Sequence, residues 1–158
     1  MAGKLHPKQL AQAGATNGQV LGYNTTSNQW GPTTNSASIS SSSASATGST
    51  TTASASDAQI DSMTLTPGAG TYLVMFSTSV AHSATQSLYV SIYANGSKVN
   101  ESECRLTVTD MKVQASVFPL STQAVVTVAA GQVIEVKWRT TGATATAYQR
   151  ILTLLKIG

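Results

Sequence analysis

Residues 67–76 read Pro67-Gly-Ala-Gly-Thr-Tyr-Leu-Val-Met-Phe76, a turn signal followed directly by an apolar run. Proline removes a ladder donor and glycine permits the backbone angles of a tight turn, so the first four residues predict a break between two strands. The next run, Tyr72 to Phe76, is apolar throughout, which predicts a strand covered on both faces. A strand break followed by a central strand indicates an all-β domain.

The segments on either side of this stretch repeat the same pattern. Residues 88–93 and 134–139 show the two-residue alternation of half-buried strands, and Asn95-Gly96 is a strong hairpin signal. Further strands are predicted at 113–120 and 124–128. We count eight or nine strands over about 100 residues from Asp57 onward, which is typical of a jelly roll. We therefore predict an all-β jelly-roll sandwich over 57–158.

The last predicted strand, Tyr148 to Ile157, is also apolar on both faces. One face of this strand and one face of 72–76 can line the core, and closed trimer symmetry would bury the other face. We therefore predict a homotrimer. Its predicted interface residues are Tyr72, Val74, Phe76, Leu152 and Leu154.

The first third of the chain has no charged residue between Lys8 and Asp57. Its first part, 1–32, shows no sustained periodicity, so it cannot bury enough apolar surface to offset chain entropy by itself. We expect it to order only on a partner, as an anchoring segment; the alternative is an arm that packs on its own domain or on a sister subunit. The predicted anchoring residues are Leu5, Leu10, Val20, Leu21, Tyr23 and Trp30.

Residues 33–56 form a low-complexity segment in which 16 of 24 residues are Ser or Thr. By composition this segment is a connector between the anchor and the sandwich. An uncharged Ser/Thr/Ala strip that is ordered is held as extended chain by other copies or by a large partner.

Charge and composition exclude several classes of function. Only 9% of the residues are charged, against roughly 25% in ordinary globular proteins, and the nine basic residues never form a run. This argues against a nucleic-acid groove. No stretch of about 18 apolar residues and no signal peptide is present, so we expect no membrane insertion and a cytoplasmic site of synthesis. The single cysteine, Cys104, excludes an intrachain disulfide.

Chemistry-bearing motifs are absent from the sequence. The two histidines, His6 and His82, belong to no metal-binding or nucleophile motif. We therefore predict no enzyme, no catalytic residue and no cofactor. The pairs Asp57 with Asp61 and Glu101 with Glu103 supply two carboxylates each, whereas Ca²⁺ usually takes about six to eight oxygen ligands. We interpret them as solvated charges at strand edges, which discourage edge-to-edge pairing. No metal site is predicted.

Three tyrosines are the candidate ligand surface. Tyr89, Tyr93 and Tyr148 have the ring size needed to stack on a sugar, which would make the domain a carbohydrate- or receptor-binding module. Tyrosine is also a favoured strand residue, so a purely structural role is the alternative.

Two stretches carry resemblances to known families. Gly14-Ala-Thr-Asn-Gly-Gln-Val-Leu-Gly-Tyr-Asn-Thr-Thr-Ser-Asn-Gln-Trp-Gly-Pro32 closely resembles a segment common in phage tail-fibre and other virion-surface proteins, where it lies in an attachment or stem region. Residues 67–76, 88–96 and 128–138, with the ending Lys156-Ile-Gly158, resemble the trimeric jelly rolls of the C1q and tumour-necrosis-factor type. The collagen repeat and signal peptide of C1q proteins are missing.

Together the resemblances imply a structural bacteriophage virion protein, assembled in the host cytoplasm and located on the virion surface. A short anchor with one trimeric knob favours a capsid decoration protein or head fibre, whose partner is the major capsid protein or another virion component. The alternative is a tail fibre, or a module that binds a host surface glycan.

Overall fold

The computed structural model describes residues 19–34, 39–109 and 116–158; residues 1–18, 35–38 and 110–115 lie outside the described parts. The described chain forms antiparallel strands and one 3₁₀ turn at Asn100–Ser102. The strands are β1 (Gln19–Asn24), β2 (Gln29–Thr34), β3 (Ser41–Ala46), β4 (Thr50–Thr52), β5 (Ala58–Leu65), β6 (Gly70–His82), β7 (Gln86–Ala94), β8 (Ser97–Lys98), β9 (Cys104–Val108), β10 (Phe118–Val128), β11 (Ile134–Thr140) and β12 (Ala145–Lys156).

The chain divides into two units, Met1–Ser38 and Ile39–Gly158. In the first unit, β1 and β2 pair as an antiparallel hairpin. In the second unit, sheet I has the order β10-β6-β12-β3, with β4 also on β12. Sheet II has the order β5-β11-β7, with β8 and β9 both paired to β7. The prediction of an all-β jelly-roll sandwich is confirmed.

The core lies between the two sheets and follows the two-residue alternation of the strands. On β11, Ile134, Val136 and Trp138 are buried while the residues between them are partly exposed. Trp138 and Phe76 are the largest fully buried side chains. Burial of each large apolar side chain is worth about 1.5–3 kcal/mol, so this shared interior supplies the main stabilisation of the fold.

The predicted interface residues lie in this core. Tyr72, Val74, Phe76, Leu152 and Leu154 are between 0% and 6% exposed. The register of β6 and β12 places Leu152 beside Phe76 and Leu154 beside Val74, with their side chains on the inner face of sheet I. The prediction placed these five residues at a subunit interface, whereas they line the core. Both faces of these strands contain apolar residues, so the sequence pattern alone does not identify the inner face. The exposed face of these strands is the opposite one.

The predicted connector, 33–56, also differs from the structure. Its residues 41–46 and 50–52 form β3 and β4, which pair with β12, and the second unit begins at Ile39. Composition suggested a flexible linker, but Ala44 and Ala46 pack against the core and the backbone completes the ladder of β12. Small side chains are tolerated here because the strand contributes mainly main-chain hydrogen bonds.

Two predicted turns appear where the sequence placed them. Asn95 and Gly96 have φ values of 49° and 77° and close the hairpin between β7 and β8. Gly70 has φ of 154°, and a Cβ there would lie 2.8 Å from the carbonyl oxygen of Gly158. Thr71 N–H donates to that same oxygen at 2.8 Å. Glycine at 70 thus allows the chain end to pack against the start of β6.

The segment 118–128 is one strand, β10, whereas the sequence suggested separate strands at 113–120 and 124–128. Residues 113–115 lie outside the described parts. The polar Ser-Thr-Gln run at 121–123 lies between the two predicted strands, but it continues in register opposite β6. Pro119 is tolerated because β10 is an edge strand, where a missing N–H breaks no second ladder.

Arg150 ties β3 and β4 to the rest of the sandwich. The residue is 6% exposed. Its Nε donates to the carbonyl oxygen of Asp61 at 2.9 Å, and its Nη1 donates to those of Gly48 at 2.5 Å and Tyr148 at 3.0 Å. These carbonyls belong to β5, to the turn between β3 and β4, and to β12. One guanidinium therefore joins three segments that are distant in sequence.

We predict that Arg150→Met lowers the free energy of unfolding by about 1.5–3 kcal/mol, the usual worth of hydrogen bonds to a charged group. Urea denaturation of both proteins measures the difference. Lys156→Met is the matched control, because Lys156 Nζ makes a single exposed hydrogen bond to Ala69 and should cost less than half as much. An equal loss of unfolding free energy in the two variants would contradict the role of Arg150 in joining the three segments.

Candidate functional site

The outer face of sheet II carries an ion-pair network. Arg139 Nη1 lies 2.9 Å from Asp57 Oδ1 and 3.0 Å from Glu103 Oε2. Glu103 also pairs with Lys98, and the hydroxyl of Tyr93 donates to Asp57 at 2.5 Å. Asp57 directly precedes β5 and Glu103 directly precedes β9. The network therefore links the starts of β5 and β9 to β7, β8 and β11.

The network changes the pKa of its members. Burial raises the pKa of Asp57, but hydrogen bonds from Tyr93 and Arg139 and the charge of Arg139 outweigh it, so the pKa lies below its usual value. Hydrogen bonds from Arg139 and Lys98 hold the pKa of Glu103 below its usual value. Burial and the hydrogen bond to Asp57 raise the pKa of Tyr93 to about 12. Both carboxyl groups are therefore charged at neutral pH.

The three tyrosines of the predicted ligand surface do not come together. Tyr89 and Tyr93 lie on the outer face of sheet II, whereas Tyr148 lies on β12 in sheet I. Tyr93 is 8% exposed, with Lys137 Nζ 4.6 Å from its ring centre. Arg139 lies 4.2 Å from the ring centre of Tyr89. Cations already cover these two rings, so the tyrosines form no open stacking platform.

Three of the four carboxylates considered as Ca²⁺ ligands have other partners. Asp57 binds Arg139, whereas Asp61 Oδ2 accepts a hydrogen bond from the Thr50 hydroxyl at 2.6 Å. Glu103 binds Lys98 and Arg139. Among the described residues, no group of three or more His, Cys, Asp or Glu side chains is placed to hold a metal ion.

The outer face of sheet I differs sharply from that of sheet II, because its outward residues are all uncharged. The register aligns Val125, Leu73 and Leu155 across β10, β6 and β12 as an apolar row. We call this surface the uncharged face. It comprises Ser41, Ser43, Ser45, Thr71, Leu73, Met75, Ser77, Ser79, Pro119, Ser121, Gln123, Val125, Thr127, Ile151, Thr153 and Leu155.

Two grooves run along the uncharged face, one on each side of Ile151. The larger, about 640 Å³, is lined by Met75, Ser77, Gln123 and Ile151 among others. The smaller, about 340 Å³, is lined by residues that include Ser45, Ser79 and Ile151. Ile151 is 40% exposed and Val125 is 58% exposed. A ridge between grooves, with apolar groups open to solvent, is a shape suited to protein contact.

These surface residues were missed by the sequence reasoning, which chose the other face of the same strands. One signal could have found them: β6 and β10 contain no charged residue at all, whereas β11 contains three. When neither the odd nor the even positions of a strand contain a charged residue, charge does not show which face of the strand is exposed to solvent.

The N-terminal hairpin presents a second uncharged surface. Its register places Tyr23 opposite Trp30 and Leu21 opposite Pro32 on one face, and Gly22 opposite Gly31 on the other. The Tyr23 and Trp30 rings lie 5.2 Å apart. The side chain of Asn24 caps the turn, accepting from the N–H groups of Thr26 and Ser27 at 2.9 and 3.1 Å. The hairpin is therefore amphipathic, which the sequence pattern did not predict.

The predicted anchoring residues fall into two groups. Val20, Leu21, Tyr23 and Trp30 are between 46% and 53% exposed on the hairpin. Leu5 and Leu10 lie outside the described residues, as does His6. An isolated two-stranded hairpin is marginally stable in water, so exposed aromatic residues on it favour a role in binding.

Comparison with known proteins gives a fold but no family. No protein-family model matches the chain, and no curated protein matches its sequence. Among solved structures, the Eiger TNF of S. frugiperda aligns with a TM-score of 0.52 and 13% identity over 73% of this chain and 92% of that chain. This likeness shows that the sandwich has a TNF-like jelly-roll fold.

Two further solved structures align less closely. Dimeric latent PorU from Porphyromonas gingivalis has a TM-score of 0.44 and 11% identity, covering 72% of this chain and 13% of that chain. The C-terminal domain of EclA, a sugar-binding protein, has a TM-score of 0.36 and 14% identity, covering 73% of this chain and 79% of that chain. No helix in the described parts is long and apolar enough to cross a membrane.

We predict that the ion-pair network makes the sandwich acid-sensitive. Because the folded-state pKa values of Asp57 and Glu103 are lowered, their stabilisation is present above their ordinary pKa values and is lost as pH falls through the lowered ones. The double variant Asp57→Asn with Glu103→Gln should therefore show a shallower loss of unfolding free energy as the pH falls below about 5. Urea denaturation from neutral pH down to pH about 3 measures the slope.

The control is Glu101→Gln, which removes a carboxylate that lies outside the network. It should retain the steeper slope of the natural protein. A double variant with an unchanged slope would show that the network contributes nothing to acid stability.

Proposed function

We propose that this chain is a non-enzymatic structural protein: a jelly-roll head that trimerises through the uncharged face and is attached by its N-terminal region, 1–34, to the surface of a larger particle. The observation that carries the proposal is the segregation of charge in the sandwich. All four described ion pairs lie on sheet II, whereas the uncharged face has apolar groups and grooves.

Burial of a surface in an interface removes water from it, and an unpaired charge there costs several kcal/mol. A face without charges avoids that cost. Contacts around a threefold axis are heterologous, so the face of one subunit meets a different surface of the next. The two edge strands of sheet I, β3 and β10, also have no charged residue. Sheet I therefore offers both surfaces that such a contact needs.

Attachment to a virion is the finer part of the proposal. The similarity of residues 14–32 to virion-surface segments supports it, and so does the exposed apolar face of the hairpin. The expected partner is the major capsid protein or another virion component. Three linked attachment segments can raise avidity by about 10²–10⁴ over that of one segment, provided that all can engage together.

We predict that Ile151→Asp converts trimers into monomers at micromolar concentration, because the new carboxylate would have to be desolvated between subunits. Analytical ultracentrifugation measures the mass, and circular dichroism checks that the sandwich remains folded. Gln59→Asp is the matched control: Gln59 is exposed on β5, in the charged sheet. A trimeric Ile151→Asp protein, or a monomeric natural protein, would rule out the uncharged face as the trimer contact.

Co-sedimentation with undecorated phage heads tests the attachment. We expect the full chain to bind and Leu21→Ser to bind at least about tenfold more weakly, since one buried leucine is worth about 1.5–3 kcal/mol. This substitution leaves the Tyr23 and Trp30 pair in place. Gln29→Ser, on the opposite face of the hairpin, is the control and should bind like the natural protein.

Absence of binding by the full chain would favour the tail-fibre or receptor-binding alternative. In that case a glycan array with the full chain becomes the deciding measurement. If Tyr89→Ala abolishes the glycan binding of the natural protein, the ligand site lies on sheet II, even though Arg139 covers the Tyr89 ring.

A further inference from the structure

The core of the sandwich becomes polar at one end. Four polar side chains, Thr52, His82, Gln86 and Thr140, are there only 8%, 4%, 6% and 2% exposed. The register places His82 and Thr52 on either side of Ala145 in sheet I. Thr140 lies opposite Leu88 in sheet II, two residues from Gln86. Both sheets therefore direct polar groups into the same end of the interior, which we call the polar end.

Most of these groups have no protein partner in the described part of the chain. His82 Nδ1 and Nε2, Gln86 Oε1 and Thr140 Oγ1 are all buried without a hydrogen bond there. Gln86 Nε2, in contrast, donates to the carbonyl oxygen of Thr144 at 3.1 Å, which fixes the orientation of the amide. A buried polar atom left unpaired costs about 1–3 kcal/mol. Four such atoms in one place indicate that something else satisfies them.

The chemistry of the four atoms limits what that is. Gln86 Oε1 needs a donor, a neutral imidazole offers one donor and one acceptor, and the Thr140 hydroxyl can do either. The described residues here include no carboxylate to hold a metal cation. Water is the smallest molecule that donates twice and accepts twice, and buried waters typically make about three such bonds. We propose that the polar end holds ordered internal water that bridges His82, Gln86 and Thr140, and that this end opens first when the protein is acidified.

The acid response follows from the surroundings of His82. The described elements packed at this end carry the following charged or titratable residues: Asp57 directly before β5, Asp61 on β5, Tyr72 on β6, Tyr89 and Tyr93 on β7, Cys104 and Arg105 on β9, Glu135, Lys137 and Arg139 on β11, and Tyr148, Arg150 and Lys156 on β12; β4 and β10 have none. The three acidic side chains in this set have other partners. Glu135 pairs with Lys137 and Asp57 pairs with Arg139, whereas Asp61 accepts a hydrogen bond from the Thr50 hydroxyl. Arg150 is the buried cation of the set, four residues away along β6 at the level of Thr78.

An imidazolium at the polar end would thus meet no described interior carboxylate. Burial lowers the pKa of His82 below its ordinary value. When the folded-state pKa is lower than the unfolded one, the unfolded or opened state binds more protons. Stability is therefore complete above about pH 6.5, the ordinary histidine value, and falls as the pH decreases below it.

Magnetic relaxation dispersion of ²H and ¹⁷O on the full chain detects the internal water directly. We expect long-lived water in the natural protein and fewer such molecules in His82→Phe, whose ring cannot bond to water. If the natural protein shows no long-lived water, or if His82→Phe retains all of it, the hydration site is ruled out.

Hydrogen exchange at residues 82–88 and 140–147 tests the acid response independently. After correction for intrinsic rates, we expect opening to become up to about tenfold more frequent per pH unit below pH 6.5, the limit for one proton. His82→Gln keeps a polar side chain but does not titrate, so it should remove this dependence. The control, His6→Gln, should leave the response of the natural protein unchanged.

The chain has two histidines, and the His6→Gln variant retains only His82, so its NMR titration is assigned to that residue. A measured His82 pKa above 6.5 would show that an acidic partner compensates the imidazolium, and it would overturn the acid response. Opening that begins elsewhere in the sandwich as the pH falls would overturn it as well.

Discussion

The antiparallel pairing of β6 with β12 is the constraint on which the rest of the sandwich depends. Both strands carry apolar residues on both faces, within 72–76 of β6 and 151–155 of β12, so hydrophobicity alone leaves two possible inner faces. Their mutual register, with Leu152 beside Phe76, aligns one parity of both strands toward sheet II. A slip of one strand by one residue would exchange the faces and expose the core set. The register therefore decides at once which residues stabilise the core and which lie on the outer face.

The consequences of that pairing reach the edges of the sheet. β12 also carries β3 and β4 on its far side, and the shift in its register between Ala147 and Arg150 accompanies the buried guanidinium. Arg150 satisfies carbonyl groups of three segments, so the Ser/Thr-rich strands need few apolar contacts of their own. By composition this segment is a linker, but it becomes part of the domain because its backbone forms hydrogen bonds with the edge of β12.

The two sheets use polar chemistry in different ways. Sheet II carries a surface ion-pair network centred on Arg139, where solvent and close partners offset desolvation. The uncharged face of sheet I has no such groups and is suited to burial against another protein. Inside, the sandwich keeps an apolar core along most of its length and a polar end at His82, Gln86 and Thr140. The proposed subunit contact and the proposed acid response are therefore located in different parts of the fold.

The sequence by itself determined the all-β class and most strands from Asp57 onward, because two-residue alternation and turn residues such as Asn95-Gly96 are local signals. It also showed the uncharged stretch between Lys8 and Asp57, although not the hairpin within it. Only the tertiary structure decided which face of β6 and β12 is interior, that residues 41–52 join the sheet, and that Asp57 binds Arg139 across 82 positions. The physical reason is that these outcomes depend on pairing between distant segments, which a local pattern does not encode when both faces of a strand are equally apolar or equally small.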